Sequence, residues 1–223
     1  MKPLRTLLCL LLSAGLGACA SSPPLRYYSL NDGWPMAVAS PDGVSVAIVR
    51  VNLPEIVDRP QLVVRSAGHR VQFSENDRWA EPLRRQVPRL LARDLSETLD
   101  SSRVVALAID AREFDFDFKV GVDVQHLEVI SGQRVELDAV WRVEARNGCS
   151  SFNRALVLVE LGNTATPDEY ATAVDAERRV FRALAENIAA GISNRLGAGD
   201  LNSGNDDRCQ GRREPARMSA QQL

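Results

Sequence analysis

Few residues in this chain could carry chemistry. There are two histidines: His69 in Ala67-Gly68-His69, which reads as a turn, and His126 at the end of a long alternating stretch. Each reads as a surface or strand-end residue rather than as a base or a metal ligand. Glu113, Asp115 and Asp117 are spaced two apart, so on a strand they share one face and could in principle gather Ca²⁺ or Mg²⁺. Arg134, Arg142 and Lys119 are placed to face them, so the expectation is an ion-paired, solvated surface and no metal site. The sequence contains no Gly-x-Ser-x-Gly, no His-Glu-x-x-His, no glycine-rich phosphate loop with lysine and no Cys-x-x-Cys. With no activated nucleophile and no nucleotide cradle, neither an enzyme nor a cofactor is expected. The remaining reactive groups are the thiols of Cys9, Cys19, Cys149 and Cys209.

Cys19 stands out by position. Lys2 and Arg5 precede a run from Leu7 to Gly17 that is short and apolar, and Leu16-Gly17-Ala18-Cys19 follows. Eleven residues make a helix of roughly 16 Å, against a hydrocarbon core of about 30 Å, so the run reads as a secretory signal over 1–18 rather than a span. The four residues around the cut resemble the bacterial lipobox, in which the cysteine is acylated on sulfur and becomes the new N-terminus. That resemblance implies a palmitate-type anchor at Cys19, and several acyl chains hold stably where one holds marginally. Ala20 stands where inner-membrane lipoproteins typically carry Asp, which points to the outer membrane with the domain in the periplasm.

Removing the leader with Lys2 and Arg5 takes the formal net charge from -2 to -4, against the clustered positive charge that nucleic-acid binding requires. In an oxidising compartment Cys149 and Cys209 either bridge or stay as two free thiols. A bridge would pin a polar tail to the Asn147-Gly148 turn.

Periodicity supplies the elements that must position these groups. Residues 19–26, with Ser21-Ser22-Pro23-Pro24, read as a lipidated cysteine and tether. Strands are expected over 27–30 and 44–53, with a hairpin of 61–66 and 70–74. Alternation over 113–125 and again over 134–144, with a third strand over 155–161, predicts an antiparallel meander. One amphipathic helix is expected over 79–99, with Pro88 as a kink. A second opens at Thr166-Pro167-Asp168-Glu169, with Thr166 as cap and Glu169 completing a capping box, and ends at Gly197. Residues 198–223 are polar without apolar periodicity and read as a disordered tail. The expected fold is α+β: a two-layer sandwich with a mainly antiparallel sheet and two amphipathic helices on one face, forming one domain over 27–197.

Two short motifs are more specific. Asp58-Arg59-Pro60-Gln61 and Trp79-Ala80-Glu81-Pro82, with Tyr27-Tyr28-Ser29-Leu30 after the lipobox, resemble the ABC-type transport auxiliary lipoprotein family of the PqiC type. The residues of the motifs themselves read as fold-defining, since Arg59-Pro60 favours an extended approach to a strand. Their alternative role is a docking patch. The resemblance implies a non-enzymatic outer-membrane lipoprotein that accompanies an MCE-domain protein and ABC or membrane transporter components in intermembrane lipid transport. Homo-oligomer formation is compatible with it. A free-standing envelope lipoprotein that itself binds a lipid is the alternative.

Overall fold

The computed structural model describes residues 23–31, 39–66, 68–106, 115–161 and 168–197. The expected leader, Cys19, Thr166, Cys209 and the expected disordered tail lie outside them.

The organising element is β6, Phe118–Ile130, a strand of 13 residues. One edge pairs antiparallel along its length with β7, Arg134–Ala145, which pairs antiparallel with β8, Ser150–Glu160. Its other edge is shared. β2, Val46–Asn52, runs parallel to residues 118–123, and β3, Gln61–Arg65, meets the far end where Arg65 pairs with Ile130. Beyond β2 lies the parallel strand β5, Val104–Ala106. Beyond β3 lie the antiparallel β4, Val71–Trp79, and the parallel edge strand β1, Arg26–Tyr28. The α+β class stands, but the expected mainly antiparallel sheet does not. The eight strands form a mixed sheet, because β1, β2 and β3 return to long-range neighbours in parallel.

The alternation that predicts β6 ends early for a physical reason. A bulge between Val124 and His126 inverts the phase, so Phe118, Val120, Val122 and Val124 are buried before it and Leu127 and Val129 after it. The strand therefore continues to Ile130 rather than stopping at residue 125. On β7 the stripe Val135, Leu137, Ala139, Trp141 and Val143 is buried without a break.

Helix α1, Leu83–Thr98, and helix α2, Glu169–Gly197, pack against each other; α1 also lies on β2 and β5, and α2 on β7 and β8. α1 starts four residues later than the periodicity suggests, since Trp79 closes β4. Pro88 lies inside α1. Leu83, Val87, Leu90, Leu91 and Leu95 from α1 join Val180, Phe181, Leu184, Ile188 and Ile192 from α2 in one core with the buried face of the sheet. Asp94 and Arg178 tie the helices by a two-pronged ion pair of 2.9 and 3.2 Å. Burial outweighs this partner and pushes the Asp94 carboxyl above its ordinary value. α2 is capped by Asp168, whose Oδ1 accepts from the N–H groups of Tyr170 and Ala171 at 3.1 and 3.2 Å. That places the cap two residues later than Thr166, and Glu169 accepts instead from the Ser131 hydroxyl.

Candidate functional site

β1 is the described strand that follows the expected tether, and with three residues it makes few ladder bonds. Side chains supply the rest. Arg26 Nε donates to Asp77 Oδ1 at 2.6 Å and its Nη1 to Asp168 Oδ2 at 3.2 Å. The Tyr28 hydroxyl donates to Asp168 at 2.8 Å and lies 3.1 Å from Asp77. Ser74 Oγ donates to Asp77 Oδ2 at 2.6 Å. Burial alone would raise the Asp77 carboxyl, but the hydrogen bonds from Arg26, Ser74 and Tyr28 win and hold it below the usual carboxylate range. Partly buried, and next to the carboxylates of Asp168 and Asp77, the Tyr28 phenol is pushed above its ordinary value. One network thus fastens β1 to β4 and to the capped end of α2.

A second set of bonds continues the clamp. Gln86 on α1 is fully buried; its Oε1 accepts from Leu30 N at 2.9 Å and from Ser29 Oγ at 3.1 Å, and its Nε2 donates to Glu81 O. Sequence reasoning missed Gln86, and its only signal is a polar residue inside the apolar stripe of a helix.

The two motifs meet in space. Trp79 N donates to Pro60 O at 2.8 Å, and Gln61 pairs with Arg78. Asp58 reaches the first turn of α1, where its carboxylate accepts from Arg84 N and Arg84 Nη1, each at 3.2 Å. Pro82 occupies the N-cap position without a side-chain acceptor, so Asp58 provides the cap from another loop. Trp79 is buried and Glu81 pairs with Arg89. Arg59 differs: its guanidinium carbon sits 4.3 Å from the centroid of the Phe73 ring on the sheet face away from the helices.

Several other charged groups on that outer face are compensated. Arg146 holds Asp115 at 3.1 Å and Asp117 at 2.9 Å, and Asp117 also accepts from Ser45 N and Oγ at 2.8 and 2.7 Å. Glu113 lies outside the described residues, and the cation that closes the acidic pair is Arg146 rather than Arg134, Arg142 or Lys119. His126 lies within β6, where its Nε2 is 3.6 Å from Glu128. The ligating atoms of His126, Glu128 and Glu136 lie within 4.8 Å of one another. Arg65 already binds Glu128 and Arg134 binds Glu136 at 2.6 Å, so guanidinium groups neutralise both carboxylates.

At the opposite end of α2, Arg195 donates to Cys149 O at 3.1 Å, Val143 O at 3.3 Å and Ser151 Oγ at 3.2 Å. Cys149 is buried and disulfide-bonded, with its partner outside the described residues. β8, which starts there, pairs only with β7 among the described strands, and on its outer face Phe152 and Leu156 are 66% and 54% exposed, with Leu158 less so. A cleft lined by Ile56, Val63, Val71, Leu127 and Arg65 has room for about 30 Å³, enough for one water and too little for an acyl chain. Among the described residues no helix is long and apolar enough to cross a membrane.

A family model described as ABC-type transport auxiliary lipoprotein component matches residues 28–189. An uncharacterized protein of known structure superposes with a TM-score of 0.60 at 18% identity, covering 76% of this chain and 99% of its own. A protein from Xanthomonas campestris gives a TM-score of 0.56 at 16% identity over 81% of this chain and 97% of its own. At these identities the likeness shows a shared fold. No curated protein matches the chain.

Proposed function

We propose that this chain, which belongs to the ABC-type transport auxiliary lipoprotein component family, is a non-enzymatic accessory of an intermembrane lipid transport system. Acylated Cys19 would hold it in the outer membrane, and the folded domain would meet a periplasmic MCE-domain protein served by ABC or membrane transporter components. The observation that carries this reading is the polarity of the sheet. Its order runs β1-β4-β3-β6-β7-β8, so the strand nearest the proposed anchor and β8, whose far edge no described strand covers and whose outer face exposes Phe152, Leu156 and Leu158, lie at opposite ends. Five inter-strand steps of about 4.8 Å separate them by roughly 24 Å. An anchored end and an open end suit a part that links a membrane to a protein partner. Unpaired strand edges with exposed apolar side chains are the usual place for another chain to add.

Photocrosslinkers placed at Phe152 and Leu156 in the membrane-bound protein test the reading. An MCE-domain or ABC component should be captured from these sites and not from Glu97, an exposed position on α1. Membranes that yield neither component from β8 would refute it. Acylation is checked separately, by labelled palmitate incorporated in the parent and absent from Cys19→Ala.

A further inference from the structure

The outer face near β1 carries a second exposed patch, at the end of the sheet opposite Phe152 and Leu156. Tyr27 pairs with Arg78 across β1 and β4, and Arg78 with Gln61 across β4 and β3, so their side chains lie in one row. Past the bulge between Gln61 and Val63, Phe73 pairs with Val63, and Arg59 stacks on the Phe73 ring. Tyr27 is 62% exposed and Phe73 44%, and Leu25 and Ile56 are also exposed.

The arginines of β3, β7 and β8 on the outer face differ from those of this patch. On the outer face Arg65, Arg134, Arg142 and Arg154 each hold an acid: Glu128, Glu136, Glu144 and Asp138. Arg59 and Arg78 hold none among the described residues, and the Nε of each is buried without a hydrogen-bond partner. Two uncompensated guanidiniums among exposed aromatic and aliphatic side chains need an anionic counterpart that also offers apolar contact.

We propose that this patch lies against an anionic phospholipid leaflet, with Arg59 and Arg78 on headgroup phosphates and Tyr27 and Phe73 at the glycerol level. The proposal rests on the reading of Cys19 as the lipid anchor. Arg26 lies seven positions after Cys19, a reach of at most about 25 Å, so β1 and the strand paired to it are held close to the leaflet that would receive the acyl chains. Aromatic rings with a polar tip and arginines with long apolar stems are the side chains that settle at such an interface. Two guanidiniums near an anionic surface strengthen contact about thirtyfold together. A soluble acidic protein would satisfy the same charges, but nothing about the tether would bring it to this edge.

The test uses the acylated full mature protein in vesicles of phosphatidylcholine with brominated phosphatidylglycerol, where bromine quenches a tryptophan at the interface. F73W should lose fluorescence relative to unbrominated vesicles, whereas F152W on β8 should not. In an R59Q/R78Q background the quenching of F73W should fall to the level of F152W, and replacing the anionic lipid by brominated phosphatidylcholine should lower it in the parent. F73W that is unquenched, or quenched no more than F152W, overturns the proposal and leaves the patch to a soluble acidic partner. If the protein fails to float with the vesicles, the anchor reading fails first, and the two failures are told apart.

Discussion

The bridge at Cys149 is expected to run to Cys209, and the argument is one of reach. Cys149 sits against Arg195 near the end of α2, while Arg26 sits against Asp168 at its start. Residues 168 to 195 of a helix span about 40 Å. Cys19 lies seven residues before Arg26, at most about 25 Å away, so it falls short even before the proposed acylation would commit its sulfur. Cys9 would leave with the expected leader. Cys209 follows Arg195 by fourteen residues, up to about 49 Å, and starts from beside its target. Closing the chain between residues 149 and 209 removes loop entropy from the unfolded state worth about 4 kcal/mol. For a domain of this size each kcal/mol shifts Tm by roughly 2–4 °C, so Cys209→Ser should lower it by about 8–16 °C. Cys149→Ser should cost a similar amount, and the double variant little more, because both changes remove the same bond. Peptide mapping without reduction, alongside calorimetry, decides the matter. A Cys149–Cys19 peptide, or an unchanged Tm in Cys209→Ser, would refute the reasoning.

Glu177 is buried without a partner for its Oε2, and burial pushes its carboxyl up to about 8. A carboxyl raised in the folded state favours folding most below its unfolded value near 4.3, and that contribution is lost as pH rises toward 8. Glu177→Gln should therefore stabilise by about 1–3 kcal/mol at pH 7 and flatten the dependence between pH 5 and 8 in urea titrations. A variant no more stable than the parent at pH 7 would count against it. Asp77 is held below its ordinary value, so its contribution is complete above about pH 4 and fades as pH falls through the folded value. Asp77→Asn should cost about 2 kcal/mol at pH 7 and show a shallower acid limb than the parent. Gly43→Ala would bring a Cβ within 2.7 Å of Ser101 Cα, and thermal unfolding should register a loss of about 2 kcal/mol. Gly43→Ala melting with the parent would mean the turn yields freely.

Local pattern reached some of this architecture and stopped where contacts became long-range. The alternations Val120-Val122-Val124 and Val135-Leu137-Ala139 and the stripe along α2 are properties of neighbouring residues, and the structure keeps them. The bulge after Val124 broke the period, so the second half of β6 was illegible as strand. β5 has three residues and is made by pairing with β2, which no window of sequence displays. The parallel partners of β1, β2 and β3 are chosen by chain return rather than by period, and this made the sheet mixed. At the site, the motif residues were visible as a pair of words but not as a junction. That Asp58 caps α1 from a distance follows only once Arg84 is seen beside it. The division of the motifs, with Trp79 and Asp58 turned to the fold and Arg59 turned outward on Phe73, depends on strand parity across a bulge between Gln61 and Val63.

The distribution of polar bonds explains why β1 can be so short. If Cys19 carries the proposed acyl anchor, this three-residue edge strand bears whatever force acts between membrane and domain, and its ladder alone would peel one bond at a time. Arg26 and Tyr28 convert that edge into a branched junction, because each reaches both Asp77 on β4 and Asp168 at the start of α2. Gln86 then holds Ser29 and Leu30 immediately after the strand. Detaching β1 therefore breaks bonds to β4, α2 and α1 together rather than in sequence, and it exposes the Asp77 carboxylate that those bonds satisfy. β8 carries the opposite arrangement. Its one described neighbour is β7, its outer face offers Phe152, Leu156 and Leu158, and its side-chain ion pair on that face, Arg154 with Asp138, lies across β7 rather than over the free edge. Among the described residues, side-chain fastening is concentrated at β1, and unfilled pairing capacity is left at β8.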